Sequence, residues 1–309
     1  MALLTDVATL SLSCFNQDEI EDMLQWHVLQ NGNFIDTAYG TYTHLHNTAR
    51  HMHFFHYLED DGNDAGNEEK DVPWRLDLHV DTGKKGNIRA TLDPQVVEDI
   101  FTSVDNRFNN LVPILAKFEE SGAKEGTALL VDFVNKNMLP ADAKSSEFEM
   151  NLNVSVLDMD FFESRAGWIE KEGLSPDQAD ETPGVFPLGM VINQMMQDDE
   201  AEEVDEQAIG LMRYAAQDLR INPLGLMNIN GVVESVEDIH LGNNVYNYIL
   251  GIKTDLGVFY AVVPERFVQV EEVTAGNYVA LIGFFSGIYI GEPEKQGKKE
   301  NVVPFAPVH

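Results

Sequence analysis

The chain has 309 residues, with 52 acidic against 20 basic side chains and a formal net charge of −32. A surface of that sign repels phosphate backbones and anionic lipid, so nucleic acid and membranes are not expected partners. The sole cysteine, Cys14, leaves no intrachain disulfide framework and fits a reducing, cytoplasmic setting.

The length allows two domains of ordinary size, and the apolar content of 44% is enough for a real core. Met1–Phe15 has no basic residue, so it lacks the charged start of a signal peptide. No run approaches the roughly 18 apolar residues of a membrane span. The acidity fits a well-solvated surface. The sharper readings are an acidic duplex mimic or a protein that docks on a basic partner.

In chain order, Ala8–Phe15 alternates as a strand. Asn16, Asp18 and Glu19 then supply cap and first-turn acids for a helix that ends at Asn31-Gly32-Asn33. From Phe34 to Leu92 the pattern is strands. Trp74, Leu76, Leu78 and Val80 alternate with Arg75, Asp77, His79 and Asp81, which reads as a half-buried strand with a polar outer face. Met52–Leu58 before it and Asn87–Leu92 after it complete an expected three-strand meander. The polar loop Asp60–Asn67 lacks the closing Glu of a calcium-binding EF-hand.

Asp93-Pro94 opens a helix whose stripe runs Val97, Ile100, Phe101, Val104, Phe108 and Leu111, with Pro113 interrupting it. Thr127–Val134 is open between a strand and a short helix. Glu147–Leu157 alternates, with Phe148, Met150, Leu152, Val154 and Val156 inward. Leu174–Pro187 reads as a connector rich in proline and acid. Asp198–Glu206 carries seven acids in nine residues, a self-repelling block. Gly189–Gln197 and Glu206–Leu219 read as helical, and Asn222-Pro223 is the natural boundary.

Beyond it, Asn228–Val236, Tyr246–Lys253, Val258–Val263, Val268–Val273 and Tyr278–Ile290 are five strand-like runs separated by turn residues. Gly276-Asn277-Tyr278-Val279 followed by Gly283 and Ser286-Gly287 is similar to the closing strands of a small barrel. The stretch 227–291 therefore resembles an OB-fold-like β-barrel at superfamily level. The resemblance implies binding through an aromatic face, for which Tyr246, Tyr248 and Tyr260 are the candidates. Only Lys253 and Arg266 are basic between Met227 and Gly291, against seven acids, so the basic groove of an oligonucleotide binder is missing.

Seven of the nine histidines lie between His27 and His79. Two His-x-His pairs on neighbouring strands would bring His44, His46, His51 and His53 together, because residues two apart share a strand face. Imidazole suits a divalent transition metal. The competing readings are surface histidines on an exposed sheet face, or a shallow ligand cleft lined by neighbouring aromatics. The acid pairs Asp158/Asp160 and Asp77/Asp81 are weaker candidates in so acidic a chain. No Gly-x-Ser-x-Gly, Gly-x-Gly-x-x-Gly or Walker loop is present, so nucleophilic and dinucleotide chemistry have no support.

The expectation is an α+β protein. An N-terminal antiparallel sheet with helices occupies 1–221, with an acidic connector near 174–206. An OB-like five-stranded barrel follows over 227–291, then a tail over 292–309. The expected function is a non-enzymatic binding or assembly module with a protein partner or a second copy. The alternatives are a metal-binding protein or metal-dependent enzyme built on the histidines, and the acidic mimic.

Overall fold

The computed structural model describes residues 3–4, 28–37, 40–47, 52–58, 74–83, 87–92, 111–117, 127–139, 146–197, 206–217, 222–242, 245–264 and 273–289. It is a sheet-rich α+β arrangement with two sheets and few helices. The helix expected to end at Asn31-Gly32-Asn33 is described only in its last turn, Leu29–Asn31, which is capped at Gly32 as expected. The readings for Ala8–Phe15, the earlier part of that helix, Cys14, His51, the 60–67 loop, the 93–110 helix and the acidic block 198–205 lie outside the described residues. No helix among the described residues is long and apolar enough to cross a membrane.

The smaller sheet holds β1 (Leu3–Leu4), β2 (Asn33–Thr37), β3 (Gly40–Asn47), β4 (Met52–Leu58) and β5 (Trp74–Val80), in the order β1-β5-β4-β3-β2. The last four form an antiparallel meander, and β1 lies parallel to β5. Phe54 and Phe55 are both buried, at 3% and 1% exposure, so β4 is covered on both faces. Phe55 packs with Val134 and Ile288, which belong to the larger body.

That body holds β6 (Asn87–Leu92), β7 (Leu111–Lys117), β8 (Thr127–Phe133), β9 (Phe148–Phe162), β10 (Val185–Phe186), β11 (Leu226–Gly242), β12 (Val245–Lys253), β13 (Val258–Pro264) and β14 (Tyr278–Tyr289). Its central feature is the long antiparallel ribbon of β9 and β14. One end is closed by β6, β7 and β8: β6 pairs with β9, and β8 runs parallel to β14. The other end is closed by β11, β12 and β13: β11 pairs with β14, and β13 runs parallel to β9.

The same plan is thus used twice. Each three-strand meander is followed by a long strand, and each long strand lies parallel to the third strand of the other meander. The inward residues of both circuits form one core, from Ile88, Ile114 and Val131 to Leu250, Ala261 and Phe285. Phe148, Met150, Leu152, Val154 and Val156 belong to that core, as their alternation predicts. A register shift at Ile282/Gly283 leaves Leu157 as an extra residue of β9 and resets the parity of that strand, so that Met159 and Phe161 return to the core side, while Leu157 and Phe284 on the outer face cluster with Ala215.

Several expectations change. The C-terminal runs do not close on themselves, because β9, from before the Asn222 boundary, fills the gap between β13 and β14. In the expected fourth run, 268–272 lies outside the described residues and Val273 is not in a strand. Asn87–Leu92 leaves the N-terminal meander for the larger body, where it pairs with β7 and β9. Leu111–Lys117 is a strand rather than a helix end, because Val112, Ile114 and Ala116 alternate inward. Pro113 pairs with Leu130 of β8, and among the described residues the β6 partners of β7 begin at Ile114. Thr127–Phe133 resolves to strand.

Among the described residues four helices of six residues or more pack outside: α1 (Arg165–Glu172), α2 (Pro176–Glu181), α3 (Leu188–Gln197) and α4 (Glu206–Gln217). Helix α2 falls inside the expected connector. Its start is a capping box: Ser175 Oγ accepts from the Gln178 N–H, and Gln178 Oε1 accepts from the Ser175 N–H. Helix α3 lies hard against the 3-10 turn Pro223–Gly225. A methyl group at Gly189 would run into the Pro223 carbonyl oxygen and the Leu224 backbone. Gly189→Ala is therefore expected to cost about 2 kcal/mol and lower Tm by about 5 °C in thermal unfolding. An unchanged Tm would contradict this packing.

Candidate metal centre

The histidines gather because three strands of the smaller sheet stand in register. His46 on β3 faces His53 on β4, and His53 faces His79 on β5. Neighbouring strands lie about 4.8 Å apart, so facing side chains on one sheet surface meet. His44 shares the face of His46 two residues on, and Asp81 follows His79 in the same way. The result is a row of imidazoles ending in a carboxylate.

The rings stack. The His46 and His53 centroids are 3.9 Å apart at 9°, and His44 lies on Phe55 at 4.5 Å and 7°. His46 Nε2 is 2.9 Å from Asp81 Oδ2, and His53 Nε2 is 3.9 Å from the same oxygen. His53 Nδ1 is 3.1 Å from His44 Nε2. The Gly83 N–H donates to Asp81 Oδ1 at 2.9 Å, which leaves Oδ2 for the histidines. Gly83 sits at φ 64°, a conformation that favours glycine. His46, His53 and Asp81 each offer one donor atom, and these atoms lie within 4.8 Å of one another.

His79 plays a different part. Its Nδ1 is 3.2 Å from Ser286 Oγ and its Nε2 is 3.3 Å from Asn151 Oδ1. Nε2 is also 3.2 Å from Asn153 Nδ2: with the proton on Nε2 the ring donates to Asn151 and accepts from the Ser286 hydroxyl, and with it on Nδ1 the ring donates to Ser286 and accepts from Asn153. Asn153 Nδ2 meanwhile donates to the Val80 carbonyl. His79 thus spends both nitrogens on the β9/β14 ribbon and anchors the small sheet to it. The face expected to be polar and solvated is instead buried here, with His79 only 2% exposed.

Burial governs the charge states. It pushes His79 down to about 4, against a smaller opposite effect from the Asn151 bond. It also pushes His44 down to about 4, helped by His46. His53 is lowered by burial first and then by its histidine neighbours. Asp81 is held well below the usual carboxylate range, chiefly by its hydrogen bond from His46 and then by the Gly83 N–H. Neutral imidazole and ionised carboxylate are the forms a metal ion requires. Two nitrogens and one carboxylate oxygen suit zinc or a first-row transition ion, whereas calcium and magnesium call for all-oxygen shells.

Of the residues singled out by sequence, His44, His46 and His53 come together, and His51 lies outside the described residues. Asp81 joins them, while Asp77 sits one row away opposite Phe55. His79 was legible only as an alternating position of a strand, and Asp81 as that and as half of the acid pair Asp77/Asp81. The spacing His79-x-Asp81 puts both on the histidine face, and that was the available signal. Asp158 and Asp160 do not converge on a site: Asp158 Oδ1 accepts from the Met159 N–H, and Asp160 pairs with Lys171.

The three tyrosines do not share a face. Tyr248 is buried in the core with Leu250 and Ile252. Tyr260 faces Gly251 on the opposite surface of the sheet, and Tyr246 lies nearer the start of β12, opposite His240. No protein-family model matches this chain, nor does any curated protein or any solved structure.

Proposed function

We propose that this chain is a metal-binding protein that holds a divalent transition ion at His46, His53 and Asp81. The observation that carries the reading is the meeting of three donor atoms, two imidazole and one carboxylate, with the second oxygen of Asp81 already tied to backbone. A bound ion would take the place of the proton between His46 Nε2 and Asp81 Oδ2, with neutral His46 then carrying its proton on Nδ1. A bound ion cross-links β3, β4 and the segment after β5 beside the contact with the ribbon, which suits a binding or assembly role. Zinc should then raise Tm by mass action.

The test is elemental analysis of protein purified without an affinity tag, followed by zinc titration of chelator-treated protein. We expect a single ion per chain in the wild type. In Asp81→Asn the affinity should fall by more than the roughly 100-fold upper value seen when a supporting partner is lost. No bound transition metal and no gain in Tm on adding zinc would sink the reading.

A second reading concerns the circuit β11-β12-β13-β9-β14. Its antiparallel pairings and one parallel contact support an OB-like barrel whose closing strand comes from upstream, a platform for a protein partner or a second copy. Light scattering across a concentration series tests self-association. A strictly monomeric chain would remove the second copy as partner.

A further inference from the structure

We infer that His44 is the positioning residue of the proposed centre: it fixes His53 in the tautomer whose Nε2 lone pair is free for an ion. The inference rests on the metal-binding reading above. His53 has two nitrogens and two different neighbours. Its Nδ1 lies 3.1 Å from His44 Nε2, and its Nε2 points towards Asp81 Oδ2 at 3.9 Å. Only one proton lies between His44 and His53.

If His53 Nδ1 donates it, Nε2 is bare and can ligate. If His44 donates it, the proton of neutral His53 sits on Nε2, aimed at the carboxylate, and blocks the ion. The centre requires the first arrangement, with His44 Nε2 as acceptor and its own proton on Nδ1. The geometry holds His44 in place for this: its ring is stacked on Phe55, which is itself 1% exposed and packed with Val134 and Ile288. A ligating histidine is commonly fixed in this way through its other nitrogen, and loss of such a partner costs about 10- to 100-fold in metal affinity. The Gly83 N–H does the same for Asp81 by occupying Oδ1. Each of these two donors is thus aimed by a contact made through its other polar atom.

The experiment compares wild type, His44→Phe and His44→Gln. Phenylalanine keeps a ring on Phe55 but accepts nothing; glutamine restores an acceptor. Zinc affinity is read by competition with a chromophoric chelator. The His53 tautomer is read in metal-free protein by long-range proton–nitrogen correlation NMR. The expected results are a proton on His53 Nδ1 in the wild type, a loss of about 10- to 100-fold in zinc affinity for His44→Phe, and recovery to near wild type in His44→Gln.

Undiminished affinity in His44→Phe, or a proton on Nε2 in the wild type, would overturn the role of His44 while leaving the centre standing. A wild-type chain that takes no zinc would overturn the centre and this inference with it. Should His44→Phe fail to fold, the wild-type tautomer and the His44→Gln affinity still decide.

Discussion

A chain that begins at Asn222 is expected to show no cooperative unfolding on its own. Its three-strand meander and β14 would be present, but β9 would not. The edges of β13 and β14 that β9 covers would be left open. The core would also lose Phe148, Met150, Leu152, Val154 and Val156 together. Truncating one large core side chain costs about 2–5 kcal/mol, against a total stability of about 5–15 kcal/mol for a typical domain. Removing five exceeds what such a fold holds in reserve. Far-UV circular dichroism with a urea titration checks this. A sigmoidal transition in the fragment would show that 222–309 is an independent unit, as its run of strands and turns suggests when read alone.

Acid is expected to destabilise the metal-free protein from about pH 6.5 downward, before the carboxylates protonate. Burial pushes His79 from its ordinary 6.5 down to about 4 in the folded chain. Between those values the unfolded chain binds more protons, so stability rises with pH there. The contribution is complete above about 6.5 and is lost as pH falls towards 4. For a fully buried ring that shift corresponds to about 3 kcal/mol. His44 acts in the same direction, its contribution reduced by partial exposure. Asp81, whose folded value is depressed, contributes above its ordinary range and loses that contribution at still lower pH. Urea midpoints measured with chelator present should fall steeply from pH 7 to pH 4.5, and His79→Gln should flatten the slope. A flat wild-type profile would contradict the burial of His79.

Much of the local structure follows from the order of residues alone. Alternation marked the inward residues of β9, the strands β11, β12 and β13, and most of β14. The period of 3.6 marked α4. These signals are local: side-chain parity in a strand and stripe spacing in a helix are set within a few residues. Signals equally local were overlooked, such as the Ser175–Gln178 capping box. Pro113 does not decide between helix and strand, because a proline inside an apolar run ends a helix as readily as it sits in a strand at a sheet edge.

What the order of residues determined, then, was most of the strands, though not β7 or β10 and β8 only as one of two readings, together with the acidity and the crowding of histidines ahead of His79. It did not determine which strands become neighbours. That β9 joins β13 and β14 across more than a hundred positions, or that β6 abandons β5, depends on which long-range pairing buries the most apolar surface. Strands with the same alternation look alike from inside the chain. The candidate centre obeys the same limit. His44, His46 and His53 share a face by spacing, but His79 and Asp81 reach them only through the β4–β5 register, and His79 is buried only because the β9/β14 ribbon packs over it.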